Sequence, residues 1–277
     1  MTFAICNEIY QNWPLARAME HARRTGYDGI EIAPFTLGGP VTTQDAAARA
    51  ELRAAAARAG IAITGIHWVL VGTEGLHLTD PDPAVRGRTA DYLRELVDFC
   101  ADVGGRAMVV GSPKQRNLAP GVTPEQGWQW AQAAFGPAVT RAEQRGVTLC
   151  FEPLSPSETN FINTAAEGVR FARAFGSPAM KIILDVKAMC SEDRPVADTI
   201  RATAREDVGY FHANDRNLKG PGFGEVDFVP IFQALDGIGY DGVVSVEVFR
   251  FEEGPEAIAE GSLRALRAAR AAASGAR

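Results

Sequence analysis

Four short apolar runs in this chain each end on a side chain able to ligate a cation: TLCFE on Glu152, KIILD on Asp185, VGYFH on His212 and VVSVE on Glu247. A strand ending in such a group delivers it to the rim of a parallel barrel, where the loops after the strands build sites. A single carboxylate at a strand end serves equally well as a helix N-cap or half of a surface ion pair. Four in succession change that balance. Glu, Asp, His and Glu on successive strands converge on one axial region, and three like charges gathered there repel unless a cation sits among them. The donors are mostly oxygen, with one imidazole and no thiolate. Mn²⁺ is therefore the expected ion, with Mg²⁺ or Co²⁺ as alternatives, and octahedral coordination leaves positions for substrate oxygens or water.

The elements that must carry these groups alternate regularly. Strands are expected over residues 3–6, 29–32, 62–67, 107–111, 148–152, 181–185, 208–212 and 243–247, with helices between them over stretches such as 43–59, 83–103, 124–145, 165–175 and 196–204. Gly26, Gly60, Gly104, Gly146 and Gly176 fall where a left-handed C-cap would feed the next strand. The phrases RTGYDGIEI and GIGYDGVVSVEV repeat one helix, cap and strand pattern at two points of the chain. Repeated βα units favour a closed (β/α)8 TIM barrel of the α/β class over an open sheet. No linker divides the chain, so residues 1–277 are expected to form one catalytic domain, with only the terminal SGAR loose.

Composition narrows the function. With 277 residues and 46% apolar content the chain can bury a large core. A formal charge of −6, with both signs mixed along the helices, leaves no basic stripe to follow a phosphate backbone, so nucleic acid is not an expected partner. The longest apolar stretches are strand-length, and the start MTFAICNEIY lacks a signal-type core, so neither a membrane span nor export is expected and the cytoplasm is the anticipated location. Cys6, Cys100, Cys150 and Cys190 lie far apart, which suits buried reduced thiols.

The phrases FEPLSPSETNFINT, LDVKAM, FHANDRNLKGPGFGEVDF and SVEVF resemble the metal-binding segments of the sugar phosphate isomerase/epimerase group of xylose isomerase-like TIM barrels, which includes ketose 3-epimerases, hydroxypyruvate isomerase and inosose dehydratase. The likeness runs from CNEIY to SVEVF. It implies that Glu152, Asp185, His212 and Glu247 are metal ligands, that Glu152 and Glu247 double as the proton-transfer pair, and that Glu158 touches substrate or orients a ligand. A divalent ion bound by the carbonyl and adjacent hydroxyl of a keto-sugar stabilises the enediolate formed when the α-proton leaves, and a nearby carboxylate takes that proton. Carboxylates on opposite faces give epimerisation, whereas using one face and moving the carbonyl gives isomerisation. No G-x-G-x-x-G or P-loop phrase follows the first strand to suggest an organic cofactor.

The chain departs from the ketose 3-epimerases where they carry a histidine three residues beyond the metal-binding aspartate, since Ala188 stands there. It also offers Arg216 and Lys219 in a lengthened segment where they place one arginine. Lys114, Lys187, Arg216 and Lys219 are candidate substrate contacts near strand ends, and two lysines pointing inward would favour an acidic substrate such as an oxo sugar acid. His67 is a further candidate for a substrate hydroxyl, with a hydrogen-bonded core histidine as the alternative. Trp13 and Trp68 either wall a pocket or pack in the core. Glu8 and Glu31 read as helix starts or barrel-end ion pairs.

The expected activity is thus a divalent-metal-dependent isomerase or epimerase acting on a keto-sugar or sugar-acid derivative, in a chain that also suits a homo-oligomer. The alternative is a lyase on the same scaffold, decarboxylating a 3-oxo sugar acid or dehydrating an inosose-like ketone. A repair endonuclease of the same superfamily is disfavoured by having only four histidines and the wrong net charge. A non-catalytic sugar-binding barrel leaves the ligand set without a purpose.

Overall fold

The computed structural model describes residues 1–275. Residues Thr2 and Phe3 of the first strand pair in parallel with Val243 and Val244 of the last, and this pairing closes the sheet. The strands are β1 (Thr2–Cys6), β2 (Gly29–Ile32), β3 (Ala62–Ile66), β4 (Ala107–Val110), β5 (Thr148–Phe151), β6 (Met180–Asp185), β7 (Val208–Ala213) and β8 (Val243–Val246), hydrogen-bonded in sequence order around a closed barrel. The helices are α1 (Leu15–Thr25), α2 (Ala46–Ala59), α3 (Pro83–Asp102), α4 (Pro124–Arg145), α5 (Ala165–Arg173), α6 (Val186–Met189), α7 (Val196–Ala202), α8 (Phe228–Gly237) and α9 (Pro255–Gly275). This is the (β/α)8 architecture expected, with ends moved by up to three residues, the largest shift being the start of α2 at Ala46. The expected strands over 148–152 and 243–247 stop one residue short, at Phe151 and Val246. Ser274 and Gly275 of the SGAR tail belong to α9, and residues 276 and 277 lie outside the described residues.

Local chemistry sets the helix starts. Thr123 and Thr164 each form a reciprocal capping box, with Gln126 and Glu167, while Asp45, Asp82 and Asp227 cap α2, α3 and α8 through their carboxylates. Such caps contribute about 1 kcal/mol apiece by satisfying amides that have no helical partner. At the far end of α2, Gly60 takes φ 69° and returns its amide to Ala56 and Ala57, a conformation that would strain any residue with a Cβ.

Two packing layers separate inside from outside. Alternate strand residues such as Ile5, Leu149, Phe151, Ile182, Leu184, Phe211, Val244 and Val246 join the helices in one large buried cluster. Ala107, Val109, Cys150, Ile183 and Tyr210, with Val243 against them, form a separate small cluster that fills the barrel interior. Side chains on one face of a strand recur every second residue. Two residues on from that inner plug, the same faces therefore present Gly111, Glu152, Asp185 and His212, and two such steps from Val243 give Glu247. The alternation that fills the barrel also aims the polar groups at its axis.

All four cysteines are free, three buried and Cys190 half-buried. Among the described residues no helix is long and apolar enough to cross a membrane.

Candidate functional site

One ligand atom from each of Glu152, Asp185, His212 and Glu247 lies within 4.8 Å of the others, and all four residues are buried. Asp185 and His212 are direct partners in the β6–β7 register. Glu152 and Glu247 follow the last residues of β5 and β8 and flank that pair. Three buried carboxylates around one point cannot all ionise cheaply. Burial, with Glu247 and Asp185 adding to it, pushes the Glu152 carboxyl up to about 8. Burial likewise raises Asp185, with Lys187 opposing and Glu247 reinforcing. Burial acts the same way on Glu247, but His212 beside it, then His67 and Lys187, outweigh burial and hold it below its usual value.

Each group is fixed by neighbours. Asp185 accepts the Ala188 amide through Oδ1 at 2.7 Å, capping α6, and its Oδ2 accepts Asn214 Nδ2 at 2.5 Å. Glu247 Oε1 accepts the Trp68 indole N–H at 2.7 Å. Glu152 is pinned through its backbone carbonyl, which accepts Arg116 NH1 at 2.6 Å, while that guanidinium stacks 4.8 Å from the centre of the Phe151 ring. Gly111 leaves the room Glu152 occupies, because a Cβ there would stand 1.7 Å from Glu152 Oε2.

The imidazole of His212 discriminates between its two nitrogens. Nε2 faces Glu31 Oε2 at 3.1 Å, whereas Nδ1 is buried without a hydrogen-bond partner, 3.2 Å from Glu247 Oε2. Glu31 in turn meets His67 Nδ1 at 3.7 Å, and His67 Nε2 meets Glu8 Oε2 at 2.9 Å. Burial would raise Glu31, but His212 and His67 overcome it and hold the carboxylate at about 2. Cys6 sits in the same layer, 3.4 Å from Glu31, and burial pushes its thiol up to about 12, so it brings no thiolate. An unpartnered imidazole nitrogen facing three carboxylates, with its other nitrogen tied to a fourth, is a donor set that fits a divalent ion. Glu152, Asp185, His212 and Glu247 are the residues able to hold it.

A cavity of about 300 Å³ opens over this cluster, lined by Glu152, Glu158, Lys187, Glu247, Trp68 and Phe249 among others. Glu158 lies in it, its Oε2 accepting the Ser155 hydroxyl at 2.8 Å and its Oε1 the Lys187 ammonium at 2.6 Å. Lys187 Nζ also stands 4.2 Å from the centre of the Phe249 ring. Trp68 is sandwiched between Phe249 and Phe35, with centroids at 5.6 and 5.7 Å, and takes φ 51°, an uncommon backbone state for a large residue. It walls the cavity, whereas Trp13 lies against a neighbouring hollow.

The other candidates divide. Lys114 is exposed at the cavity rim. Arg216 turns away to the Cys190 carbonyl at 3.3 Å, and Lys219 pairs with Glu253, so neither of these expected substrate contacts lines the cavity. His67 is wholly buried between Glu8 and Glu31, which removes it from substrate contact. Arg116 and Asn214 are the site-building residues that sequence reasoning passed over, while Glu31, read as a helix start or barrel-end ion pair, pairs with His212 beside the cluster. Gln115, next to Arg116, lines the cavity with a buried amide oxygen that has no partner.

Residues 19–269 match the model of the xylose isomerase-like TIM barrel family. An L-ribulose 3-epimerase of Mesorhizobium japonicum is 31% identical over 244 residues, covering 86% of this chain and 76% of that protein. A D-psicose 3-epimerase of Ruminiclostridium cellulolyticum is 30% identical over 235 residues, covering 83% and 77%. The crystal structure of D-psicose 3-epimerase with D-tagatose from Clostridium cellulolyticum H10 superposes with a TM-score of 0.86 at 24% identity, over 98% of this chain and 99% of that one, a likeness of fold. The chain belongs to the xylose isomerase-like TIM barrel family. Within it, its relatives place it among the sugar isomerases and epimerases, and it is an enzyme of that class.

Proposed function

We propose that the protein is a divalent-metal-dependent ketose epimerase that inverts the carbon next to the carbonyl, with Mn²⁺ the expected ion and Mg²⁺ or Co²⁺ as alternatives. Bound to Glu152, Asp185, His212 and Glu247, the metal would supply Lewis-acid stabilisation of charge on the substrate's carbonyl oxygen. The protein's own share is proton handling. Glu247 is held ionised by His212 and Trp68, so it is ready to accept the α-proton. Glu152, on the other flank of the cluster, is the carboxyl placed to return a proton to the same carbon from its own side of the cavity. In the reverse direction the two exchange roles. The observation that carries the reading is this pair of carboxyls, clustered with Asp185 and His212 and both lining one cavity. Glu158 and Lys187 then form the cavity's polar wall, suited to sugar hydroxyls.

The lyase alternative gains nothing from the cavity. Lys187, the buried cation that would attract an acidic substrate, already has its charge matched by Glu158 at 2.6 Å.

Incubating the Mn²⁺-loaded enzyme with D-psicose, D-fructose or L-ribulose in heavy water tests the proposal. Deuterium should enter at the carbon beside the carbonyl, and the epimer should appear. Asp185→Asn and His212→Ala should fold normally yet carry little metal by elemental analysis and show little exchange. Wild-type metal content in both variants, or carbon dioxide release from oxo sugar acids without epimerisation of any ketose, would overturn it.

A further inference from the structure

Trp68, stacked between Phe35 and Phe249, is shared by the linings of two hollows. One is the metal-side cavity of about 300 Å³, and the other, more than twice as large at about 710 Å³, opens between the loop after β1 and the loop after β2. The second hollow is lined by Glu8, Gln11, Asn12, Trp13, Phe35 and Phe251 with others. Its chemistry is that of a carbohydrate site: flat aromatic faces beside a few polar groups that are not already spoken for. Glu8 is 5% exposed, its Oε2 meets His67, and its Oε1 is buried with no partner at all. A buried carboxylate oxygen left unsatisfied is costly, and a ligand hydroxyl would relieve that cost. Asn7 is not available, since its amide is used by Thr36 and the Ala33 backbone, and the Tyr10 hydroxyl is used by His21. Gln11 and Asn12 are exposed, with no side-chain hydrogen bond among the described residues. Trp13 is held in place by Arg17, whose guanidinium carbon lies 3.7 Å from the ring centre. No lysine, arginine or histidine lines this hollow, so an anionic group has nothing to pair with there, and a neutral polyol fits.

We propose that this second hollow is a subsite for a neutral sugar unit attached to the ketose, so that the preferred substrate is a glycosylated ketose bridging the two cavities across Trp68. The inference rests on the ketose reading above and extends it to the substrate's far end. The keto unit occupies the metal-side cavity, and the attached unit lies against Trp13 with a hydroxyl on Glu8 Oε1.

The Mn²⁺-loaded enzyme should be assayed by α-proton exchange on D-fructose and on isomaltulose, a glucosyl-fructose, with calorimetric titration of both sugars alongside. The disaccharide should show kcat/KM at least about tenfold above the free ketose, mostly through KM, and bind more tightly by a similar factor. Trp13→Ala should pull that ratio toward unity while Trp13→Phe keeps most of it, and Gln11→Ala provides an exposed-site variant that does not threaten folding. Equal kinetics and equal binding of the two sugars by the wild-type enzyme would sink the subsite while leaving the epimerase reading in place. Absence of exchange on every ketose would sink the epimerase reading instead, and the titrations, with Trp13→Ala as comparison, would still decide the subsite.

Discussion

Glu31 and His212, 181 residues apart in sequence, meet inside the barrel with a carboxylate oxygen 3.1 Å from Nε2. With Nε2 turned to Glu31, Nδ1 is the nitrogen that faces the ligand cluster, 3.2 Å from Glu247 Oε2. Glu31→Gln should therefore keep the fold and weaken Mn²⁺ binding by roughly 10- to 100-fold. Titration calorimetry reads this directly, and unchanged affinity would remove Glu31 from the site's supporting layer.

Gly111 predicts a steric effect without any change of charge. A methyl group at this position collides with Glu152 Oε2, so Gly111→Ala should displace that side chain in a barrel that still melts cooperatively. Turnover should fall by about 100-fold or more, in keeping with misplacement of a reacting group by about 1 Å. Wild-type turnover would show that Glu152 does not need its present position.

The elevated Glu152 carboxyl makes metal uptake depend on pH. Its value of about 8, against 4.5 for a free glutamate, means that the metal-free protein holds a proton which an unfolded chain would release. The sign follows from that. As pH rises between those values the metal-free fold loses stability, and a cation able to replace the proton binds better. Apparent Mn²⁺ affinity should rise between about pH 6 and about pH 8 and then level, with proton release on binding in the same window. Calorimetry in buffers of different ionisation enthalpy measures both, and affinity independent of pH would contradict the assignment.

Glu158 and Lys187 should separate metal binding from turnover. Glu158→Gln removes the charge that holds the Lys187 ammonium but touches none of the four clustered ligands. Metal content should remain near the wild-type level while kcat falls by about tenfold or more. Loss of metal in this variant would instead make Glu158 part of the ion's own environment.

The alternation of strands and the four charged strand ends were legible because each is a local signal, a short apolar run with a polar terminus. What local signals hide is direction across the barrel. In β2 all four residues of GIEI are buried, so no contrast between faces reveals that Glu31 looks inward at His212. Glu8 and Glu31, read as helix starts or barrel-end ion pairs, do pair with His67 and His212, but the identity of those partners depends on what β3 and β7 bring across the barrel. The segment GSPKQRN has no period to read, and there Lys114 drew notice while Arg116, 1% exposed and bound to the Glu152 carbonyl, is the residue that builds the site. Arg216 and Lys219 sit in an irregular loop whose path turns their charges toward Cys190 and Glu253.

The indole of Trp68 donates to Glu247 at 2.7 Å from within an aromatic sandwich, and it is one of only four tryptophans in the chain. A cation drawing charge from that carboxylate alters the field along the indole, whose emission is sensitive to charge at the ring nitrogen. The protein thereby carries its own optical gauge. Occupancy of the centre is expected to register as a shift in intrinsic fluorescence that disappears in Trp68→Phe, giving a label-free signal that reports arrival of the ion independently of any sugar.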